Sequence, residues 1–290
     1  MSCPDCFKGA VHDHGGDTQG TMQTLHGYPC YVASASAPAK SKSTIIFFCD
    51  AFGLNLINSK LLCDKYAAET GFRVIAPDVI PGGPVPVSAM AKMESAMGKK
   101  VAWWDIRGQL KRAFMFVRAM SIFVPFLLFS RPVKAFPSCL KFARSVRAEL
   151  PPEAKLGVAG FCWGGYPSTN LCKEPAVKGG KERLVDAQFC AHPSFLSTPR
   201  MVADAINTFH TAYSMAIGDK DFAYPEKKVL DTQAALRERV GDPEENDYEI
   251  RIYKGCSHGF SVRARPGNKV EMAAMEEARE QAVNWFKKYL

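Results

Sequence analysis

The fold of this chain is indicated most clearly by the segment Leu156-Gly-Val-Ala-Gly160-Phe-Cys162-Trp-Gly164-Gly165. The segment is an apolar strand that runs directly into a Gly-x-Cys-x-Gly-Gly turn, and a helical segment follows. This is the nucleophile-elbow pattern with cysteine at the reactive position. The turn is so tight that side chains two residues before and after the cysteine would collide. Gly160 and Gly164 have no side chains, so the sequence permits the turn.

Cys162 is the predicted nucleophile. The helix that follows it directs N–H groups and its positive end toward the sulfur, which lowers the pKa of the thiol and favours the thiolate. The alternative is an unreactive buried cysteine on a glycine-rich turn. The two glycines and the preceding strand favour the reactive interpretation.

A cysteine nucleophile needs a base and a group that orients the base. In folds with this elbow the chain order is nucleophile, acid, histidine. His258, in a glycine-flanked loop after a predicted strand, is the predicted base. Asp219 and Asp221 follow another strand, and either one could be the acid. His192 also ends a strand, where it either binds substrate or is a structural histidine.

Apolar, β-branched segments alternate with helical segments along the chain. The predicted core strands are 44–49, 72–76, 155–160, 185–191, 212–217 and 248–253, preceded by a hairpin over 22–25 and 30–33. The predicted helices are 59–70, 103–120, 166–172, 226–239 and 270–289. This alternation predicts an α/β fold with a doubly wound, mostly parallel sheet and helices on both faces.

The predicted organisation is an N-terminal arm over residues 1–19 and a single domain over residues 20–290. An apolar insertion around residues 80–135 begins with the loop Pro81-Gly-Gly-Pro84 and contains the very apolar segment 122–129. This insertion is either a lid over the site or ordinary packing.

The net charge of +8 is concentrated in one region, because residues 99–147 contain eleven Lys and Arg and one acid. The two interpretations are solvated helix faces and a positive rim that attracts anionic substrates. No nucleic-acid-binding motif accompanies the charge, so no nucleic-acid partner is predicted.

The sequence also leads to several expected absences. Cys3 and Cys6 have metal or redox spacing, but they lie in a polar arm without a second pair, so no metal or cofactor is predicted. The longest uncharged apolar run, 119–130, is shorter than the roughly 20 residues that span a bilayer. With no secretory signal visible, we expect a soluble cytoplasmic protein without a membrane span.

Four motifs together resemble the dienelactone hydrolase family, and most closely its fungal-type members. They are Gly160-Phe-Cys-Trp-Gly-Gly165, Asp219-Lys-Asp-Phe-Ala-Tyr-Pro225, Ser257-His-Gly-Phe260 and Asp50-Ala-Phe-Gly-Leu-Asn55. The resemblance implies an α/β-hydrolase fold and a catalytic triad of Cys162, His258 and Asp221. Asp221, four residues before Pro225, fits the family's Asp-x-x-x-Pro spacing better than Asp219 does.

The resemblance also implies roles around the triad. The backbone amides of Ala51 and Trp163 correspond to an oxyanion hole, and Asp50 takes the place of a family Glu that tunes the thiol. Phe52, His192 and Arg263 are candidate substrate-binding residues. In bacterial members an Arg lies four residues after the histidine, whereas this chain has Val262 there and Arg263 one position later.

The predicted function is hydrolysis of an ester or lactone, and also of a thioester, through an acyl-cysteine intermediate. The substrate is expected to be a small molecule, anionic or aromatic, and the protein a monomer or a homodimer. One alternative is a tailoring enzyme acting on a lactone or polyketide. The other is a non-catalytic thiol redox or binding protein with the same fold.

Overall fold

The computed structural model describes residues 18–34, 42–90 and 104–290, and these form a sheet covered by helices. The strands are β1 (Thr21–Leu25), β2 (Tyr28–Ala33), β3 (Thr44–Phe48), β4 (Arg73–Pro77), β5 (Leu156–Phe161), β6 (Ala187–Ala191), β7 (Ala212–Lys220) and β8 (Tyr248–Ser257). The helices are α1 (Ile57–Thr70), α2 (Ile106–Phe129), α3 (Pro132–Glu149), α4 (Gly165–Leu171), α5 (Arg200–Asn207), α6 (Glu226–Arg239), α7 (Phe260–Arg263) and α8 (Lys269–Tyr289).

The sheet has eight strands in the order β1-β2-β4-β3-β5-β6-β7-β8. The predicted hairpin is present, and His26 and Gly27 form its turn with positive φ angles. β2 pairs antiparallel with β4, and all later pairings are parallel. The predicted α/β fold with a mostly parallel sheet is confirmed.

The middle strand β5 shows how helices cover both faces of the sheet. Gly157 and Gly160 are three residues apart, so they face opposite sides of the strand. A Cβ at Gly157 would meet Phe286 of α8, and a Cβ at Gly160 would meet Ser168 of α4. All six β5 residues are buried, as expected for a strand enclosed between two helical layers.

The insertion contains two long helices. α2 extends through Pro125 to Phe129, so the predicted helix 103–120 and the apolar segment 122–129 form one element. Pro125 removes one internal hydrogen bond without ending the helix. Among the described residues, α2 is the one helix long and apolar enough to cross a membrane by length and composition. The two predicted roles of the insertion, a lid over the site and ordinary packing, both stay open.

The predicted N-terminal arm falls mostly outside the described residues, and so do Cys3 and Cys6. The domain boundary near residue 20 therefore stays a prediction. Within the described ranges, no three His, Cys, Asp or Glu side chains are grouped as metal ligands.

Candidate active site

The polar residues of the site directly follow parallel strands. Cys162 follows β5, His192 follows β6, Asp221 follows β7 and His258 follows β8. Because the carboxyl ends of parallel strands lie at one edge of the sheet, all four side chains meet in the same region. Asp50 lies two residues beyond the end of the neighbouring strand β3 and joins them.

The turn at Cys162 has the strained geometry that the sequence predicts. Cys162 has a φ of 49°, a left-handed conformation that is unusual for a side chain other than glycine. A Cβ at Gly160 would lie 2.3 Å from the carbonyl oxygen of Gly164, and one at Gly164 would lie 2.1 Å from that of Phe48. The two glycines therefore allow strand, turn and helix to approach closely enough to present the sulfur.

Replacement of Gly160 by alanine tests this explanation. The new methyl group would collide with backbone atoms that cannot move away, so we expect Gly160→Ala to destabilise the protein by about 3 kcal/mol. Thermal or urea unfolding followed by circular dichroism measures the loss. Gly267→Ala is the matched control, because a Cβ there meets nothing within 4 Å. Equal stability of the two variants would contradict the explanation.

His258 and Asp221 form a fully buried pair. Nδ1 of His258 lies 2.9 Å and 3.0 Å from the two carboxylate oxygens of Asp221. The same carboxylate accepts hydrogen bonds from the backbone amides of Ala223 and Tyr224, at 2.8 Å and 3.2 Å. These contacts fix the orientation of the imidazole. Nδ1 faces Asp221, and Nε2 is the ring nitrogen that can interact with Cys162.

Asp219 has a different role from Asp221. It lies in a β-bulge of β7, and its carboxylate accepts a hydrogen bond from the backbone amide of Gly255 at 2.7 Å. Asp219 therefore holds the end of β8, while Asp221 contacts the histidine. Of the two candidates that the sequence left open, Asp221 is the one placed at His258.

The charges of Cys162 and His258 stabilise each other. Burial is the largest single influence on the Cys162 thiol and would raise its pKa, but the charge on His258 and the hydrogen bonds from His258 and Ser194 together lower that pKa. Burial alone would lower the pKa of His258, whereas Asp221 and Cys162 together raise it to about 10. Each group therefore favours the charged form of the other, a thiolate beside an imidazolium.

Ser194 is a site residue that the sequence analysis did not select. Its hydroxyl lies 3.6 Å from the Cys162 sulfur, and its backbone amide donates to the Cys162 carbonyl at 2.9 Å. A donor beside the sulfur favours the thiolate, so Ser194 adds to the effect of His258. Its position two residues after His192, at the carboxyl end of β6, was the available signal.

Asp50 and Arg263 form an ion pair inside the site. Nε of Arg263 lies 3.0 Å from a carboxylate oxygen of Asp50, and both side chains are buried. The other Asp50 oxygen accepts from the backbone amide of Phe52, and the Arg263 guanidinium lies 5.0 Å from the centre of the Phe52 ring. Arg263 is therefore paired with Asp50. Substrate binding by Arg263 or Phe52 stays a prediction.

His192 lies beside His258, and the centres of the two imidazole rings are 5.0 Å apart. It is completely buried, and neither ring nitrogen has a hydrogen-bond partner within the described chain. Burial and the charges of His258 and Arg263 hold its pKa well below its usual range, so the ring is neutral. Its position fits a pocket residue, and substrate binding by His192 stays a prediction.

The two predicted oxyanion donors are the backbone amides of Ala51, in the turn after β3, and of Trp163, the residue after Cys162, and their role stays a prediction. After β3, the amide of Gly53 bonds to the Asp50 carbonyl and the amide of Phe52 to the Asp50 carboxylate, so neither is a candidate. The predicted Ala51 amide belongs to the same turn. Trp163 follows the sulfur directly, and its indole donates to the Ser130 carbonyl at 2.6 Å, which ties the elbow to the end of α2.

The fold and the elbow at the edge of the sheet define an α/β-hydrolase. The model of the dienelactone hydrolase family matches residues 29–290. The chain therefore belongs to the dienelactone hydrolase family and is a hydrolase, as the resemblance of its motifs indicated.

Comparisons with individual proteins agree with this assignment. The chain is 27% identical over 286 residues to the hydrolase pyvD of Aspergillus violaceofuscus, covering 98% of this chain and 96% of that protein. It is 23% identical to dienlactone hydrolase 1 of Gibberella moniliformis, with coverages of 97% and 91%. The fold is similar to that of a Klebsiella pneumoniae protein assigned to the dienelactone hydrolases, with a TM-score of 0.60, 17% identity and coverages of 93% and 98%.

Proposed function

We propose that this hydrolase cleaves a small-molecule ester or lactone through an acyl-cysteine intermediate, with Cys162 as nucleophile, His258 as base and Asp221 as the acid that orients it. The observation that carries the proposal is the buried His258–Asp221 pair at 2.9 Å, which stabilises a thiolate at the elbow. No resident cofactor enters the proposed reaction.

In the first step the Cys162 thiolate attacks the carbonyl carbon of the substrate, and negative charge develops on the carbonyl oxygen. The backbone amides of Ala51 and Trp163 donate to that oxygen, and one such donor typically lowers the barrier by about 3 kcal/mol. When the tetrahedral intermediate collapses, the bond to the leaving oxygen breaks. His258 gives its proton to that oxygen, and the acyl-cysteine remains.

In the second step water hydrolyses the acyl-cysteine. His258, now neutral, takes a proton from the water, and the hydroxide attacks the acyl carbon. Release of the carboxylic acid restores the thiolate and the imidazolium. Asp221 keeps the imidazole in the tautomer that both steps need and stabilises its positive charge.

The chemistry of the site favours activated acyl groups. A thiolate is a good leaving group, so a sulfur nucleophile handles activated esters, enol lactones and thioesters better than amides. The Phe222 ring lies 4.8 Å from the ring of His258 and is 37% exposed, which offers an apolar contact for an aromatic substrate. The positive charge of Arg263 is already paired with Asp50. We therefore favour recognition of an aromatic group by Phe222 over recognition of an anionic group by Arg263.

The pH dependence of activity tests the proposal. The imidazolium must protonate the leaving oxygen of an ester whose leaving group is an alkyl alcohol, so kcat/KM for an alkyl ester should fall as the pH rises through the His258 pKa of about 10. The alkylation rate of Cys162 by iodoacetamide should remain high there, because the thiolate persists above that pH. If hydrolysis and alkylation both slowed as the pH rose through about 10, the roles assigned to His258 and Cys162 would be contradicted.

Replacement of Asp50 by asparagine tests its predicted effect on the thiol. The Asp50 charge is one of the causes that raise the pKa of Cys162, so Asp50→Asn should lower that pKa. Below that pKa, alkylation should accelerate by about threefold for each unit of decrease, because a tenfold larger thiolate fraction is partly offset by the weaker nucleophilicity of a less basic thiolate. Asp50→Glu keeps the charge and is the control, expected to retain the wild-type rate. An unchanged rate in folded Asp50→Asn would exclude the role.

A further inference from the structure

The outer face of α2 carries a row of exposed apolar side chains. The members of this apolar stripe are between 42% and 71% exposed. They are Ile106, Leu110, Phe114, Val117, Val124 and Leu128. Their spacings of three, four and seven residues place them on one side of a helix with 3.6 residues per turn. The stripe runs along most of the helix, which is about 36 Å long.

The opposite side of α2 contacts the body of the protein at a few points in the second half of the helix, and most of the helix surface is exposed. Met120 and Ile122 are partly buried against the core, and Phe126 is buried. At the end of α2, the buried Ser130 donates its hydroxyl to the Pro81 carbonyl at 2.6 Å and accepts from the Trp163 indole. The helix is therefore held on the domain with the apolar stripe facing outward.

Basic side chains accompany the apolar stripe. Arg107, Lys111 and Arg118 border the stripe on one side and are exposed, and within the described part of the chain none of them forms an ion pair with a carboxylate. Asp105, the one acid between residues 104 and 130, caps the helix by accepting from the Gly108 amide. Among the described residues, the outward surface of α2 thus combines an apolar row with basic side chains that no carboxylate pairs.

We propose that α2 docks on an anionic phospholipid bilayer, lying along the headgroup region with the apolar stripe inserted. Apolar residues on one face and Lys and Arg beside them are the features of interfacial helices. A two-fold contact between copies of α2 would bring like charges together, whereas anionic headgroups neutralise them. The charge on the helix therefore selects the bilayer over a second copy of the chain.

The same residues favour an interfacial helix over a spanning one. Three charges lie in the first half of α2 and a fourth, Arg118, begins its second half, and the uncharged run 119–130 is shorter than the roughly 20 residues that cross the hydrocarbon core. In addition, the end of α2 is tied to Pro81 and Trp163 through Ser130.

Vesicle flotation of the full-length protein tests the proposal without depending on turnover. The wild type should float with equimolar phosphatidylcholine and phosphatidylserine vesicles at low salt, bind less at high salt, and remain unbound with phosphatidylcholine alone. Leu110→Glu/Val117→Glu should lower the partition coefficient at least tenfold. So should Arg107→Glu/Lys111→Glu/Arg118→Glu, since each basic residue contributes roughly fivefold at an anionic surface.

The matched control is Val177→Glu, which places the same charge at a side chain that is 72% exposed outside α2. It should float like the wild type, and all variants should keep the wild-type melting curve and the hydrolysis rate for a water-soluble ester. The proposal would be overturned if the wild type bound phosphatidylserine-containing vesicles no better than vesicles of phosphatidylcholine alone. So would a dimer in sedimentation that Leu110→Glu/Val117→Glu converts to a monomer, or membrane attachment that resists salt and alkaline extraction.

Discussion

Replacement of Cys162 by alanine is expected to lower kcat/KM for activated esters by at least about 10⁴-fold while the protein stays folded. Without the sulfur no acyl-enzyme forms, and the remaining rate comes from binding and the oxyanion donors. Alanine fits the elbow because the collisions there involve Gly160 and Gly164 and not position 162. Ester hydrolysis and a thermal melt, measured on the same preparation, give both quantities.

Cys139→Ala is the control for this prediction. Cys139 is a fully buried cysteine of α3, and burial raises the pKa of its thiol to about 12, so it is not a nucleophile at neutral pH. The variant should keep the wild-type turnover, and iodoacetamide at neutral pH should label Cys162 before Cys139. Full activity of Cys162→Ala on every ester that the wild type hydrolyses would refute the assignment of the nucleophile.

Replacement of Asp221 by asparagine is expected to lower kcat by about 10³- to 10⁴-fold. An amide in place of the carboxylate no longer stabilises the imidazolium and favours the wrong tautomer of His258. The Asp221 carboxylate is also a main cause of the raised His258 pKa. The variant should therefore show a lower His258 pKa and slower alkylation of Cys162 at neutral pH.

Asp219→Asn is the matched control, two residues away in the same chain segment. Its carboxylate bonds to the Gly255 amide and not to the histidine, so an asparagine oxygen can accept the same hydrogen bond. We expect activity within a few-fold of the wild type. If the two variants lost activity equally, the distinction between the two acids would be wrong.

The sequence predicted the parts of the site that depend on local geometry. The turn at Cys162 leaves room only for glycine at positions 160 and 164, and that constraint is visible in the segment itself. The positions of Asp221 and His258 at strand ends followed from the alternation of strands and helices. The geometry of the described residues brings these groups to one sheet edge.

Other parts of the site depend on contacts between distant segments. The β-bulge in β7 turns Asp219 toward Gly255, a contact that the local sequence does not show; the family's Asp-x-x-x-Pro spacing favoured Asp221, but it did not reveal what Asp219 binds. The pairing of Arg263 with Asp50 joins residues more than 200 positions apart. The apolar stripe of α2 could not be predicted, because the sequence alone does not show which side of that helix faces outward.

During turnover, a covalent acyl group is expected to form on the sulfur of Cys162. Rapid acid quenching during turnover of a p-nitrophenyl ester, followed by peptide mapping by mass spectrometry, detects this group. We expect one acyl group per chain, located on Cys162 and absent from Cys162→Ala. An acyl group on another residue, or product formation with no acylated enzyme at any quench time, would contradict it.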